Sequence, residues 1–116
     1  MHAMTQILQK FGIVGGGAWG TALALCALRA GREVLLWAKD PETVADINER
    51  HENVKRLPGV TLDQGLRATS NLADMSGADA LILAVPAQKT RAVCRDLKKV
   101  NAAAPLILAA KGIELG

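Results

Sequence analysis

The sequence predicts an α/β fold: a doubly wound, mostly parallel sheet with flanking helices. Three observations carry that prediction. Short apolar runs alternate with helical stretches, the pattern of βαβ units. A glycine cluster, Gly15-Gly16-Gly17-Ala18-Trp19-Gly20, stands between the first apolar run and the first helical stretch. The apolar mass is aliphatic: hydrophobic residues make up 50% of the chain and aromatics only 3%, which suits helices packed on buried parallel strands.

The elements follow in order. Phe11-Gly12-Ile13-Val14 is the first buried strand. Ala18 to Ala30 reads as a helix rich in Ala and Leu, closed by Gly31 just past its end. Val34-Leu35-Leu36-Trp37 is the core of a second strand, Glu33 to Ala38. Asp40-Pro41-Glu42 is a helix start: Asp40 as N-cap, Pro41 at the first helical position, Glu42 at the positive end of the dipole. That helix is expected to reach Arg50. His51 to Gly65 is polar and irregular, with Pro58-Gly59 marking a turn. Leu66 to Ser70 reads as a short third strand and Asn71 to Ser76 as a short helix. Leu81 to Val85 anchors a buried strand, Ala78 to Val85, that stops at Pro86. Gln88 to Val100 is a helix, with Val93 and Leu97 four apart. Pro105 to Ala110 is the last strand, and Lys111-Gly112 follows it directly.

Composition bounds the function. The 116 residues fit one compact domain, and 22% charged residues argue against disorder. The net charge of +3 comes without a Lys/Arg run or aromatic side chains for base stacking, so nucleic-acid binding is not expected. The longest apolar run, near Ala22 to Leu28, is too short to span a membrane, and Met1 to Lys10 holds no signal-peptide core. A cytoplasmic protein without membrane insertion is expected. Cys26 and Cys94 are widely separated with no CxxC or Cys/His cluster, so two buried free thiols and no metal site are expected. His2 and His51 read as surface residues.

Gly15, Gly17 and Gly20 satisfy G-x-G-x-x-G, between a strand and a helix and with a second strand beyond. The spacing points to a Rossmann-type diphosphate loop. Gly15 permits the tight turn, Gly17 lets the backbone approach a pyrophosphate, and Gly20 lets helix and strand pack closely. Free amides and the helix dipole then attract the diphosphate. A FAD or S-adenosylmethionine domain can use a similar loop, so the second strand's exit matters. An acidic residue there binds a ribose 2′-hydroxyl, whereas a basic one suits a 2′-phosphate. Lys39 and Asp40 share that exit. Asp40 is already occupied as an N-cap, which leaves Lys39 for a 2′-phosphate or for solvent. NADP is therefore favoured, with NAD as the alternative.

Five segments together resemble the bacterial NAD(P)-dependent glycerol-3-phosphate dehydrogenases. They are Gly15 to Ala24; Leu36-Trp37-Ala38-Lys39-Asp40-Pro41; Asn53-Val54-Lys55-Arg56-Leu57-Pro58-Gly59-Val60; Ala84-Val85-Pro86-Ala87-Gln88; and Lys111-Gly112-Ile113-Glu114. Ala87 stands where that family more often has Ser, and Ala18 where many members have Ser. The resemblance implies that Ala18 and Trp19 contact the cofactor, that Lys39 lies by the adenine ribose and that Pro86 lies near the nicotinamide end. It also implies that Lys111 contacts both cofactor and phosphorylated substrate. A lysine directly after a strand also suits the carboxyl edge of such a sheet, where ligands bind.

The resemblance further implies reversible hydride transfer between NAD(P)H and dihydroxyacetone phosphate, giving sn-glycerol 3-phosphate for glycerophospholipid synthesis. In whole enzymes of this family a helical C-terminal domain supplies the catalytic lysine and most substrate contacts. Residues 1–116 are then expected to be an incomplete nucleotide-binding domain, with no catalytic residue assignable and no turnover by themselves. A homodimer is compatible with the full enzyme, and exposed apolar surface makes self-association of this chain plausible. Two alternatives stay open: another dehydrogenase of the 6-phosphogluconate or ketopantoate type, and a non-catalytic dinucleotide-sensing module.

Overall fold

The computed structural model describes residues 9–109. Five strands form one parallel sheet: β1 (Lys10–Val14), β2 (Glu33–Trp37), β3 (Arg67–Thr69), β4 (Ala80–Leu83) and β5 (Leu106–Leu108). Their spatial order is β3-β2-β1-β4-β5, and every neighbouring pair is parallel. The order reverses direction between β1 and β4. Ligands in open α/β sheets bind at such a switch point, outside the carboxyl ends of the strands.

The two faces follow from strand alternation. Ile13, Val34, Leu36 and Ala68 point to one face and pack with Ala24 of helix α1 (Ala18–Arg29) and with Ile47. Val14, Leu81 and Leu83 point to the other, against Met75 and against Leu97 of helix α3 (Ala87–Val100). Met75 lies in a short 3-10 helix, Leu72–Gly77. Helix α2 (Pro41–Ala45) begins as expected: Asp40 is its N-cap, its carboxylate accepts from the Glu42 N–H, and Pro41 is the first residue. Only Pro41–Ala45 is α-helical, however, and Asp46–Arg50 continues as a π-helix. His51 closes it in the left-handed region at φ 56°. Gly31, at φ 84°, follows α1 in the expected place.

Two side-chain expectations are corrected. Cys26 is exposed and Cys94 half-buried, not both buried. Helix α1 buries Gly20, Thr21 and Ala24. Cys26 lies two residues past Ala24, about 200° round the helix, and so faces out. His51 is half-buried rather than a plain surface residue, with its Nδ1 enclosed and without a hydrogen-bond partner among the described residues.

Strand β5 is one edge of the sheet and β3 the other. In β5, Ile107 and Leu108 are 45% and 64% exposed. Among the described residues no helix is long and apolar enough to cross a membrane.

Candidate dinucleotide site

The glycine loop is shaped by what surrounds it. Gly15 sits at φ 135°, open to few residues other than glycine, and a Cβ there would meet the Ala84 carbonyl beyond β4. Its N–H donates to the Trp37 carbonyl at the end of β2 (2.9 Å). A Cβ on Gly20 would run into the Gly15 carbonyl, so α1 can start this close to β1 only with glycine there. Gly17 differs: an added Cβ would find nothing within 4 Å. The Cβ side of Gly17, the N-cap residue of α1, is therefore clear.

A buried polar bracket supports the loop from behind. The Asn53 side chain is fully buried. Its Nδ2 donates to the Gly16 carbonyl (2.8 Å) and to Thr21 Oγ1 (2.9 Å), while its Oδ1 accepts from the Arg56 N–H (3.3 Å). Thr21, also fully buried, donates its Oγ1–H (2.8 Å) and its N–H (3.0 Å) to the Gly17 carbonyl. Asn53 stands in a segment that reads as polar and irregular, with no periodicity to mark it as buried.

The described candidate residues converge on the carboxyl edge of the sheet. Ala18 and Trp19 open α1 and are exposed. Trp19 Nε1 donates to the Ala109 carbonyl (3.2 Å), tying the start of α1 to the exit of β5. Lys39 is exposed just beyond β2. Pro86, exposed beyond β4, is the N-cap residue of α3. Lys111 lies outside the described residues. A cavity of about 400 Å³ opens instead at the amino-terminal edge, lined by Lys10, Phe11, Arg32 and Glu33 among others, and none of the candidate residues lines it.

The β2 exit carries an ion-pair cluster that sequence reasoning did not reach. Lys55 Nζ lies 2.6 Å from Asp40 Oδ2 and 2.7 Å from Glu42 Oε1. The Lys55 hydrogen bond, and then the Glu42 N–H, hold the Asp40 carboxyl below its usual range. The Asp40 and Glu42 carboxylates in turn hold Lys55 protonated above the usual lysine range. The signs set a pH window. The Asp40 contribution is present at neutral pH and lost as pH falls through its lowered value. The Lys55 contribution is full below the ordinary lysine range and lost only as pH rises through its raised value. The Glu42 amide resonance is therefore expected to hold steady from about pH 5 to 9 and to move only below about pH 4. A titration of that amide inside the window would contradict the assignment. Among the described residues no group of three or more His, Cys, Asp or Glu side chains could hold a metal ion.

Fold and loop together define a Rossmann-type α/β domain. A family profile described as the N-terminus of NAD-dependent glycerol-3-phosphate dehydrogenase matches residues 10–116. The chain belongs to that family. It is 55% identical over 109 residues to a glycerol-3-phosphate dehydrogenase [NAD(P)+] of Paramagnetospirillum magneticum, covering 93% of this chain and 40% of the relative. It is 48% identical over 115 residues to the protein of the same description in Rhodospirillum rubrum, covering 97% and 33%. The crystal structure of the Coxiella burnetii glycerol-3-phosphate dehydrogenase superposes with a TM-score of 0.81 at 28% identity, covering 92% of this chain and 34% of that one. The chain thus spans about 33–40% of the curated relatives it matches here. The family match favours the glycerol-3-phosphate dehydrogenase reading over the 6-phosphogluconate and ketopantoate types.

Proposed function

We propose that this chain is the dinucleotide-binding part of an NAD(P)-dependent glycerol-3-phosphate dehydrogenase, and that its glycine loop receives the cofactor's diphosphate. The carrying observation is the clear space at Gly17, in a loop whose other contacts are close-packed. The residues present fit the group. The Gly17 and Ala18 amides and the α1 dipole suit an anion. Trp19, at the start of α1, and Pro86, just beyond β4, are the further residues proposed to contact the cofactor. Lys111, outside the described residues, is the proposed contact for the cofactor and the substrate phosphate. When bound, the cofactor supplies the hydride that interconverts dihydroxyacetone phosphate and sn-glycerol 3-phosphate. The chain's own residues bind and orient; none of them is assigned as acid or base, and turnover needs groups beyond those named here.

NADP is the favoured form. Asp40 is already engaged by the Glu42 N–H and by Lys55, which neutralises the charge it would offer to a ribose hydroxyl. Lys39, exposed beside it, is the cation available to a 2′-phosphate. Titrating the chain with NADPH and NADH tests both parts of the reading. Tighter NADPH binding is expected, and Lys39→Ala should weaken NADPH about tenfold while leaving NADH nearly unchanged, the value of one charge-assisted contact. Clearly tighter NADH binding would remove Lys39 from this role, and binding of neither would remove the dinucleotide reading. In the same preparation a steady-state assay with dihydroxyacetone phosphate is expected to show no turnover.

A further inference from the structure

We infer that Asn53 is a positioning residue for the diphosphate loop: it fixes the direction in which the Gly16–Gly17 peptide points its N–H. The inference rests on the dinucleotide reading and deepens it.

The geometry is that of a trans peptide, and no cis bond occurs among the described residues. In a trans unit the C=O of one residue and the N–H of the next point in opposite directions. The Gly16 carbonyl is drawn inward by Asn53 Nδ2 at 2.8 Å. The Gly17 N–H must then point the opposite way, away from Asn53. The next peptide is held in the same way. Thr21 takes the Gly17 carbonyl with both its N–H and its Oγ1, which turns the Ala18 N–H outward. Asn53 joins the two clamps, because its second Nδ2 hydrogen goes to Thr21 Oγ1. One buried amide thus aligns two consecutive N–H groups.

Glycine makes this bracket necessary. A peptide flanked by Gly16 and Gly17 has little steric resistance to flipping. A flipped unit would turn the Gly16 carbonyl oxygen toward the phosphates and the Gly17 N–H away from them. Asn is suited to the bracket because its amide donates twice and accepts once in the same buried place. The accepted bond, from the Arg56 N–H, holds the Asn53 side chain within its own segment, and the donated bond to the Gly16 carbonyl ties that segment to the loop. That segment is therefore part of the phosphate machinery although its backbone lies behind it.

The test uses Asn53→Asp, which keeps the shape but replaces two donated hydrogens with an acceptor facing the Gly16 carbonyl. NADH and NADPH affinities should both fall about tenfold, the loss of one amide bond to a charged group. In amide NMR spectra, the Gly17 resonance of the unsubstituted chain should shift on adding ADP, and in Asn53→Asp it should respond weakly. A merely structural role would lower the melting temperature and leave that response intact. Thr21→Val, which breaks the bridge without adding charge, should give a smaller loss in the same direction and serves if Asn53→Asp does not fold. Unchanged affinity with a normal Gly17 response in the folded variant overturns the inference alone. If the unsubstituted chain binds neither dinucleotide, the dinucleotide reading falls and takes the inference with it.

Discussion

Replacing Gly20 with alanine is expected to destabilise the chain by about 3 kcal/mol, the upper end of the range in which core overpacking and backbone displacement fall. The added methyl would collide with the Gly15 carbonyl, which is backbone and has little freedom to move. Relief requires α1 to lift from β1. That motion strains the Gly15 N–H bond to the Trp37 carbonyl and loosens Ala24 from the buried face it shares with Ile13 and Leu36. Small α/β domains have total stabilities of about 5–15 kcal/mol, so a large part of the reserve is removed. Urea unfolding followed by circular dichroism measures it. A midpoint within error of the unsubstituted chain would show that α1 need not start this close to β1.

Gly17→Val should do the opposite: spare the fold and abolish binding. Gly17 has φ −77°, which any residue accepts, and its Cβ direction is open. The stability cost is then the loss of a tolerated N-cap residue, about 1 kcal/mol or less. The same side chain would stand where the diphosphate must approach. Two or more amide–phosphate bonds would be lost, so dinucleotide affinity should fall about a hundredfold or further. Calorimetric titration with NADPH reads the affinity and thermal unfolding reads the fold. A folded Gly17→Val chain that binds normally would place the diphosphate elsewhere. The pair separates two duties that look alike in the sequence, since Gly20 serves packing and Gly17 serves access.

Much of this was legible before the structure. Strands β1, β2 and β4 are continuous aliphatic runs because both their faces are covered, and such runs stand out against helical periodicity. The start of α2 was legible because Asp40, Pro41 and Glu42 act locally, through one side-chain hydrogen bond, a fixed φ and a dipole. Other features depend on distant partners. The switch from α- to π-helix at Asp46 has no local signal, and neither does the enclosure of His51 Nδ1. The exposure of Cys26 turns on which arc of α1 meets the sheet, and an Ala- and Leu-rich helix carries too weak an apolar stripe to show it.

The candidate site divides in the same way. By itself the sequence determined the parallel α/β class, the glycine loop and the placement of Lys39 and Pro86 after strands, because strand runs and turn residues express short-range sterics. Only the tertiary structure decided that Gly20 meets the Gly15 carbonyl, that Lys55 engages Asp40 across 15 residues, and that Asn53 reaches the loop across 37. These contacts are set by how helices and loops pack back on the sheet. A buried amide and an exposed one have the same letter, and what distinguishes Asn53 is the carbonyl it is folded against.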